Sequence, residues 1–337
     1  MAAEPQRRAL PIGLREIGIV AIGRNEGARL RRCFDALPDD VRRVVYVDSA
    51  STDDSVEHAR SRGFEVLELD MSLPFTAARS RNAGLLRLRA RWPKVRYVQF
   101  IDGDCALAPG WLDAAVRELE AHSKLAVVCG RRREVHPRAS IYNRLCDMEW
   151  NTPVGDAESC GGDALARVDA MLDEGGYDER VISGEEPELC ARLRARGWKI
   201  RRIDCEMTLH DAAMTRFGQW WRRAVRSGHG FAQVSAIHPA LYAREKRSCV
   251  SWGLLLPAAI LLSAPITGGL GLALFFTAYP ALAARIFFRR QRSGDTIPDA
   301  ALYAAFCVLA KFPEAFGVAK YSWTRIQGRH SKLIEYK

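Results

Sequence analysis

The stretch Val98-Gln99-Phe100-Ile101-Asp102-Gly103-Asp104 joins a short apolar run to two carboxylates. The run has the length and composition of a buried strand, so Asp102 and Asp104 are predicted to lie at its carboxyl end. Because one residue separates them, both carboxylates can reach a single hard divalent cation, directly or through water. Mg²⁺ or Mn²⁺ bound in this way can bridge the phosphates of a nucleotide. An isolated Asp-x-Asp triplet also occurs in surface turns, so the surrounding sequence decides between the two interpretations.

Strand-like and helical segments alternate on both sides of this stretch. The strands are predicted at Ile17–Ile22, Arg43–Val47, Phe64–Leu67, Val95–Ile101 and Leu125–Cys129. The helices are predicted at Gly27–Leu37, Asp53–Arg62, Thr76–Arg91 and Pro109–Ala121. This alternation predicts an α/β fold, Rossmann-like, with a mostly parallel central sheet and helices on both faces. Ligands of such sheets bind outside the carboxyl ends of the strands, where Asn25, Asp48 and Asp102 fall.

The regular alternation fades after Gly130. The stretch to about residue 245 is predicted to contain irregular polar segments and two helices, Glu186–Arg196 and Phe217–Arg226. We expect this stretch to continue the same domain and to form the side of the cleft that faces a second substrate.

The composition limits the number of domains, the kinds of partner and the cellular compartment. With 337 residues, 48% of them hydrophobic, the chain is long enough for one large domain with an appendage, or for two domains. The net charge of +10 indicates an acidic partner: nucleic acid, anionic lipid or a phosphorylated substrate. Nine scattered cysteines without a Cys-x-x-Cys pair indicate reduced thiols in a cytosolic compartment. Residues 1–16 contain no apolar core of signal-peptide length, so the N-terminal part is not expected to be exported by that route.

An uncharged segment near the C-terminus predicts a membrane hairpin. The 35 residues Val250–Ala284 include no Asp, Glu, Lys or Arg. One straight helix of that length would extend roughly 50 Å, against a hydrocarbon core of about 30 Å. Since Pro265, Gly268 and Gly269 interrupt the segment, two short helices in a hairpin fit best. The alternative is a buried core hairpin of a soluble protein.

Basic residues flank this hairpin on both sides: Arg244, Lys246, Arg247, Arg289, Arg290 and Arg292. Positive flanks favour the cytoplasm for both ends, so we predict a location at the cytoplasmic face of the inner membrane, integral or tightly associated. The next segment, Pro298–Phe316, is apolar on one side but carries Lys311 and Glu314, which predicts an interfacial helix.

Three polar motifs follow the early strands and are candidates for nucleotide contacts. The hydroxyls and acids of Asp48–Asp53 can hydrogen-bond a nucleobase and ribose, form a helix cap and turn, or do both. Glu26 could accept from a ribose hydroxyl or a base, or lie in a surface turn, and Arg81 could meet a pyrophosphate or be merely solvated. The candidates in these motifs and the strand-end loop are Asn25, Glu26, Asp48, Ser49, Ser51, Asp53, Arg81, Asn82, Asp102 and Gly103.

Further candidates lie in the second half of the chain. Glu185 and Glu186 begin a predicted helix, where acids gain from the helix dipole or could serve as a general base. The segment Gln219–Arg223 offers arginines for a diphosphate and tryptophans for stacking or for a membrane interface. His210 is a structural histidine or a further metal or phosphate contact.

In this order, the motifs resemble those of the family 2 glycosyltransferases of the membrane-associated bacterial type, which have the GT-A fold. The resemblance covers about residues 17–230. Its motifs are Asn25-Glu26, Asp48–Asp53, Arg81–Gly84, Asp102–Asp104, Cys160–Asp163, Gly175–Asp178 and Gly184–Glu186. Each motif is loose, but their order and spacing make the set specific.

The resemblance implies a nucleotide-diphosphate sugar donor, a divalent metal (Mg²⁺ or Mn²⁺) and direct displacement with inversion at the anomeric carbon. Asp48 would contact the base, Asp102 the ribose or the metal, and Asp104 would be the main metal ligand. Glu186 matches the family's catalytic base, which is usually Asp. Because the extra methylene of Glu changes the reach of the carboxylate, Glu185 remains a rival.

The residues on the acceptor side match the family pattern less closely. Gln219 and Arg222 resemble the Gln-x-x-Arg part of a motif of processive members, which usually ends in Trp, where this chain has Arg223. That departure and the short membrane region favour a single-transfer enzyme. The acceptor and diphosphate side would include Gly162, Asp163, Gln219, Trp220, Arg222 and Arg223. A glycan or lipid-linked acceptor, with membrane lipids as partners, would explain the apolar hairpin.

The predicted organisation follows from these assignments. A catalytic domain spans 1–245, with a donor half at about 15–130 and an acceptor half at about 131–245. A hydrophobic helical hairpin follows at 246–292, then an interfacial helix and basic tail at 293–337. The rival functions are a metal-dependent nucleotidyltransferase and a non-enzymatic basic membrane-associated binding protein. The sequence contains no recognised nucleic-acid module and no Gly-Lys-Ser/Thr phosphate loop, so nucleic acid is not expected as a partner.

Overall fold

A computed structural model describes residues 16–266, 268–269, 271–329 and 334. The prediction about the N-terminal segment and the end of the predicted basic tail therefore lie largely outside the described residues. The chain divides into two compact units. The first comprises the described residues up to Val135 together with Trp150–Asp178 and Leu189–Asp211. The second comprises His136–Glu149, Glu179–Glu188 and the described residues from Ala212 onward. The domain boundary at residue 245 stays a prediction.

The first unit is built on one mixed sheet. Its strands are β1 (Ile17–Gly23), β2 (Val44–Asp48), β3 (Glu65–Glu68), β4 (Tyr97–Asp102), β5 (Cys105–Leu107), β6 (Leu125–Glu134), β7 (Gly155–Ala157), β8 (Ala164–Arg167) and β9 (Lys199–His210). The strand order is β3-β2-β1-β4-β8-β6-β9-β5, with β7 paired to β9. The strands β3, β2, β1 and β4 are mutually parallel, as predicted. Beyond β4 most ladders are antiparallel, so the parallel description holds only for the first half.

Helices connect the strands of this unit. They are α1 (Ala28–Asp35), α2 (Ser55–Ser61), α3 (Ala77–Arg91), α4 (Trp111–Ala121), α6 (Val168–Asp173) and the larger part of α7 (Glu185–Ala195), while α5 (Ile141–Glu149) belongs to the second unit. The parallel register places Ile22 beside Asp102 and Gly23 beside Asp48. The carboxyl ends of β1, β2 and β4 therefore meet at one edge of the sheet, where the sequence placed the candidate polar residues.

After Gly130 the predicted helix Glu186–Arg196 corresponds to α7, but the prediction of irregular segments around it misses several strands. Strand β6 continues to Glu134, and the 12-residue strand β9 follows at Lys199–His210. Strand β9 carries many charged residues, but buried and exposed positions alternate along much of it, as expected where only one side of a strand faces the core. The predicted helix Phe217–Arg226 is likewise the first half of a longer helix, α8 (Phe217–Ile237).

Gly84 allows α3 to lie close against the sheet. A Cβ atom at this position would overlap Val20 Cγ1 and lie 3.0 Å from Val47 Cγ2, both in the buried core. We predict that Gly84→Ala lowers the stability of the first unit by about 1–3 kcal/mol, because the helix must move off the sheet. Thermal unfolding measures the loss. Gly218→Ala in α8 is the matched helical control, since a Cβ there meets nothing within 4 Å. Equal melting temperatures for the two variants would contradict this account.

The second unit is helical. In addition to α5 and α8 it contains α9 (Ala243–Val250), a π-helical turn (Ser251–Leu255), α10 (Leu256–Ser263), α11 (Leu272–Arg292) and α12 (Ile297–Ile326). Helices α8 and α12 approach closely through glycines, since a Cβ at Gly228 would overlap the Glu314 backbone and one at Gly317 would overlap that of Val225. Large apolar side chains are exposed along the C-terminal helices, among them Leu262, Phe276 and Ile326.

Two of the described helices, α11 and α12, are long and apolar enough to cross a membrane. Core helices of soluble proteins can pass the same test of length and composition, so insertion stays a prediction. The predicted hairpin corresponds to α10 and α11, which a break between Ser263 and Leu272 separates. Helix α12, predicted to be interfacial, satisfies the length and composition of a span as well.

His229 predicts a specific dependence of stability on pH. The imidazole is buried on α8, and burial, with a smaller effect of Lys320, lowers its pKa from 6.5 to about 4. Between pH 6.5 and 4 the unfolded chain binds a proton that the folded His229 does not, so stability falls as the pH falls through this window. The loss at pH 5 should be about 2 kcal/mol.

Melting curves of wild type and His229→Gln at pH 7 and pH 5 test this prediction. The variant does not titrate at this position, so its melting temperature should drop less than that of wild type on acidification. Parallel drops would show that His229 is not the group responsible.

Candidate active site

Asp104 and His210 lie side by side in the first unit. Strand β5 pairs antiparallel with the end of β9, which aligns Cys105 with His210. The Oδ2 atom of Asp104 is 3.3 Å from Nε2 of His210, and both side chains are buried. The backbone N–H of Asp211 donates to the Asp104 carbonyl at 3.0 Å and fixes the loop. The structure thus brings together two predicted metal ligands that are far apart in the sequence.

The state of His210 suits a metal ligand. Burial, then the charge of Arg132, lowers the pKa of His210 to about 4, so the imidazole is neutral near pH 7 and keeps a free lone pair. The edge of its ring contacts Trp150, with centroids 4.6 Å apart. Two ligands at right angles on an octahedral ion lie about 3 Å apart, which matches the separation of the Asp104 and His210 atoms.

Cys105 lies near the same group of atoms. Its Sγ and the ligand atoms of Asp104 and His210 all lie within 4.8 Å of one another, and Cys105 forms a second such group with Asp102 and Asp163. Burial raises the pKa of Cys105 well above its ordinary value, so the thiol stays protonated. Because the thiolate is the form that binds metals, the oxygen and nitrogen donors are the better candidates.

Asp102 lies between two arginines. Burial alone would raise its pKa, but Arg81 and Arg132 lower it to about 2, so Asp102 is ionised at neutral pH. Arg81 Nη2 donates to Asp102 Oδ1 at 2.9 Å, and Arg132 Nη2 is 3.9 Å from Oδ2. Arg81 is almost fully buried and lies over the ring of Tyr177. Two guanidinium groups beside a carboxylate therefore form the positive part of the site.

Asp163 holds Asp102 and Arg132 in place. It is fully buried and accepts hydrogen bonds from the backbone N–H of Asp102 at 3.0 Å and from the Thr208 hydroxyl at 2.8 Å. It also pairs with Arg132 at 2.9 Å. Asp163, predicted to lie on the acceptor side together with its buried neighbour Gly162, thus positions the strand-end loop through these bonds.

Arg132 and Trp150 were not among the predicted site residues. The guanidinium of Arg132 lies 5.6 Å from the centroid of the Trp150 ring and reaches both Asp102 and Asp163. The run Arg131–Arg133 follows a predicted strand, and continued strand alternation would have placed its middle residue on the side opposite to the other two. That signal was present, but the strand was predicted to end at Cys129.

The loops after β1 and β2 hold each other. Asn25, in the left-handed region at φ 54°, accepts from the Thr52 N–H at 2.7 Å and donates its own N–H to Ser51 Oγ at 2.9 Å. Asp53 accepts from the Gly27 N–H at 3.0 Å. Glu26 pairs with Arg29 at 2.9 Å. The polar motifs predicted to contact a nucleotide therefore also build the loops that would surround it.

Asp48 is at the centre of this loop structure. Its carboxylate is 1% exposed and accepts from the Tyr46 hydroxyl at 3.0 Å, the Ser51 N–H at 2.8 Å and the Ser51 hydroxyl at 2.5 Å. The neighbouring Ser49 lies 3.4 Å from the Ser80 hydroxyl. These contacts are those of a turn, whereas the N-cap of α2, Asp54, makes no side-chain cap hydrogen bond. A contact between Asp48 and a base stays a prediction.

Asn82 and Gly103 connect distant segments of the chain through hydrogen bonds. Asn82 donates to the Tyr177 carbonyl at 2.9 Å and accepts from the Tyr177 N–H at 2.8 Å, which fixes the turn after Gly176. Gly103 donates its N–H to the Ile22 carbonyl at 2.7 Å, so β1 and the strand-end loop stay together. Neither contact was visible in the sequence, because each joins segments far apart in the chain.

Much of the segment that carries this site is similar to known proteins. Residues 19–155 match the family model described as Glycosyl transferase family 2. This part of the chain is therefore similar to the family 2 glycosyltransferases. The pre-mycofactocin glycosyltransferase of Mycobacterium tuberculosis, from strains CDC 1551 and H37Rv, is 28% identical over 242 residues, which are 67% of this chain and 48% of the relative. The chain thus spans about half the length of the curated relatives it matches.

A solved structure shares the fold. A mannosyltransferase from Pyrobaculum calidifontis, determined in complex with GDP-Man and Mn²⁺, superposes with a TM-score of 0.56 at 19% identity, covering 92% of this chain and 88% of that chain. The fold is therefore GT-A, as the sequence predicted. The family match includes Asp48, Asp102, Asp104 and Arg132, whereas His210 lies beyond it.

The remaining predicted residues lie in the second unit. Glu185 is 4% exposed at the first position of α7, Glu186 is partly exposed, and Glu188 of the same turn is bonded to His238 at 2.9 Å. Gly184 precedes them at φ 91°, a conformation that glycine adopts without strain. Two acids of this turn, Glu185 and Glu186, thus remain candidates for a base.

The Gln219–Arg223 segment is the start of α8. The Gln219 side chain caps the helix, since it accepts from the Thr215 and Arg216 N–H groups at 2.9 and 3.0 Å. Trp220 is buried against Phe306, and Arg223 pairs with Glu149 at 2.7 Å. Arg222 is exposed. Within this unit, Gln219 and Trp220 thus make structural contacts and Arg222 is exposed, while a role of the three in binding an acceptor or diphosphate stays a prediction.

Proposed function

We propose that this protein is an inverting glycosyltransferase that moves a sugar from a nucleotide-diphosphate sugar to a hydroxyl acceptor, with the aid of a divalent metal. The observation that carries the proposal is the pairing of Asp104 with His210 beside Asp102, Arg81 and Arg132, in a chain whose residues 19–155 match the family 2 glycosyltransferase model. Carboxylates and a neutral imidazole suit a cation, and arginines suit a diphosphate.

The donor set fits a divalent ion. Asp104 offers a carboxylate, His210 a neutral ring nitrogen at the right separation, and Asp102 an ionised carboxylate nearby. A cation bound there would neutralise charge on the departing diphosphate. Since an imidazole ligand is more typical of transition metals than of Mg²⁺, we expect Mn²⁺ to support the reaction better than Mg²⁺.

The chain's own residues would perform the rest of the chemistry. Arg81 is positioned by Asp102, and Arg132 by Asp163, so both guanidinium groups are oriented before a donor binds. Glu186 would take the proton from the acceptor hydroxyl as that oxygen attacks the anomeric carbon. Glu186 is favoured over Glu185 because a base must reach its substrate, and Glu185 is buried.

The acceptor is proposed to be a lipid-linked or cell-surface glycan. The support is the exposed apolar surface of the C-terminal helices, two of which have the length and composition of membrane spans. The basic residues around Val250–Ala284 favour attachment at the cytoplasmic face of the inner membrane. An acceptor in or at the bilayer would then lie near the enzyme.

A donor panel tests the proposal. Purified protein is mixed with UDP- and GDP-sugars, with and without Mn²⁺, and melting temperatures are measured. We expect stabilisation that requires both the nucleotide sugar and the metal. Stabilisation by no donor in the presence of Mn²⁺ would argue against the proposal.

The products separate the rival functions. With a labelled nucleotide sugar and a membrane extract as acceptor, glycosyl transfer releases a nucleoside diphosphate. A nucleotidyltransferase would instead form or consume pyrophosphate. A non-enzymatic membrane protein would release neither product, and the substitution Asp104→Ala would leave its function in cells unchanged.

A further inference from the structure

A cationic cavity lies in the second unit, at the end of α12. Its volume is about 370 Å³. Residues from α8, α9 and α12 line it: Ala236, Lys246, Tyr321, Ser322, Arg325 and Ile326. The lining therefore combines two cations, two hydroxyl groups and apolar side chains, and it includes no carboxylate.

The two cations are available to a ligand. Within the described residues, neither Lys246 nor Arg325 forms an ion pair, although many other basic residues of the chain do. Lysine, arginine and hydroxyl side chains together are the donors that proteins use for phosphate groups. The lining residues therefore favour binding of an oxyanion such as a phosphate monoester or diester.

The walls of the cavity are fixed by packing. Ala232 of α8, Cys249 of α9 and Val318 of α12 form a buried apolar cluster, against which Tyr321 and Val250 pack. The Tyr321 ring also meets the ring of His229 edge-on, with centroids 5.2 Å apart. Three helices are therefore held together next to the cavity, so Lys246 and Arg325 are anchored on a rigid frame.

Apolar surface adjoins the cavity. Ile326 is 78% exposed, and Trp323, on the same last turns of α12, is 63% exposed. On the other wall, Lys246 lies one helical turn before Val250, where the uncharged segment begins. Tryptophan and basic residues at the end of apolar segments are typical of the membrane interface. A phosphate bound here would have room for an attached acyl or prenyl chain on the apolar surface.

We propose that this cavity binds the phosphate group of a membrane lipid. Lys246 and Arg325 would neutralise the phosphate, and the Tyr321 and Ser322 hydroxyls would donate hydrogen bonds to its oxygens. Ile326 and Trp323 would contact the lipid chain. The proposal concerns a binding site outside the sugar-transfer chemistry and does not depend on that activity.

Vesicle binding by the full chain tests the proposal. The lining variant Lys246→Gln/Arg325→Gln is compared with the control Arg244→Gln/Arg247→Gln, in which two exposed cations of α9 are lost. Both variants lose two positive charges, so general attraction to an anionic surface weakens equally in both. We expect the lining variant to bind phosphatidylglycerol vesicles at least tenfold more weakly than the control. Equal losses would overturn the proposal.

A second measurement identifies the source of the phosphate. Melting curves of the detergent-solubilised protein are recorded with dihexanoyl phosphatidic acid and with glycerol 3-phosphate. Stabilisation by the lipid that far exceeds that by glycerol 3-phosphate, and that the lining variant loses, supports a lipid site. Equal stabilisation by both would assign the cavity to free phosphates and overturn the lipid assignment. Unchanged melting temperatures of the unliganded variants show that they fold.

Discussion

Asp104→Asn is expected to reduce sugar transfer about a thousandfold or more. The substitution keeps the size of the side chain but removes the charge that, with His210, would bind the cation. Without the cation, the departing diphosphate would lose several kcal/mol of stabilisation, and each 1.36 kcal/mol lowers the rate about tenfold. The measurement is release of nucleoside diphosphate under saturating donor and Mn²⁺.

The loss should also appear in binding. Because Asp104 would act through the metal, Asp104→Asn should abolish the part of the donor-induced thermal shift that requires Mn²⁺. The matched control is Asp156→Asn, an exposed acid of the same unit that pairs with Lys199 and Arg201. Its activity should stay within about twofold of wild type, as expected for a surface ion pair. An Asp104→Asn enzyme that retained a third of its activity would refute the metal site.

The central strands were predictable because a strand that is buried on both faces has a continuous run of apolar residues. Strand β1 and strand β2 are buried along nearly their whole length, and both were predicted to within a residue or two. Strand β9 was not predicted, because one side of it is largely exposed and carries charges such as Arg201 and Glu206. A half-exposed strand with long charged residues has no continuous apolar run to detect.

The pairing of Asp104 with His210 was predictable in part. Asp104 stands out because it ends an apolar run, and His210 was a low-weight candidate that the sheet places against it. Arg132 was missed, since its importance arises from contacts with Asp102, Asp163 and Trp150, which only the folded chain brings together. Local sequence shows where a side chain sits along an element, but not which distant element faces it.

Asn25, Asp53 and Asn82 show a different limit. The sequence suggested that they contact a nucleotide, and the structure shows that each also bonds a distant backbone group or loop of the protein. The sequence alone does not distinguish a motif residue that shapes a binding loop from one that contacts the ligand. Contacts in a donor complex would separate the two roles.

Glu186→Gln is expected to lower kcat by about 10²–10⁴ while donor binding stays intact. A glutamine keeps the length of the side chain but cannot accept the acceptor's proton, and the range is that of a general base. The Mn²⁺-dependent thermal shift with donor should therefore match wild type, in contrast to Asp104→Asn. This difference separates a base from a metal ligand. Steady-state kinetics with a defined acceptor give the measurement.

Glu185→Gln is the matched comparison, because it removes the neighbouring acid of the same helical turn. Glu185 is buried, so its substitution should affect the melting temperature more than Glu186→Gln does, and kcat less. Glu186→Asp should recover part of the activity, since Asp is the usual base of the family but reaches less far in a site built around Glu. If Glu185→Gln stops the reaction and Glu186→Gln does not, the base is Glu185. If both variants keep nearly full kcat, the proton goes to a group outside this turn, and direct displacement assisted by α7 is wrong.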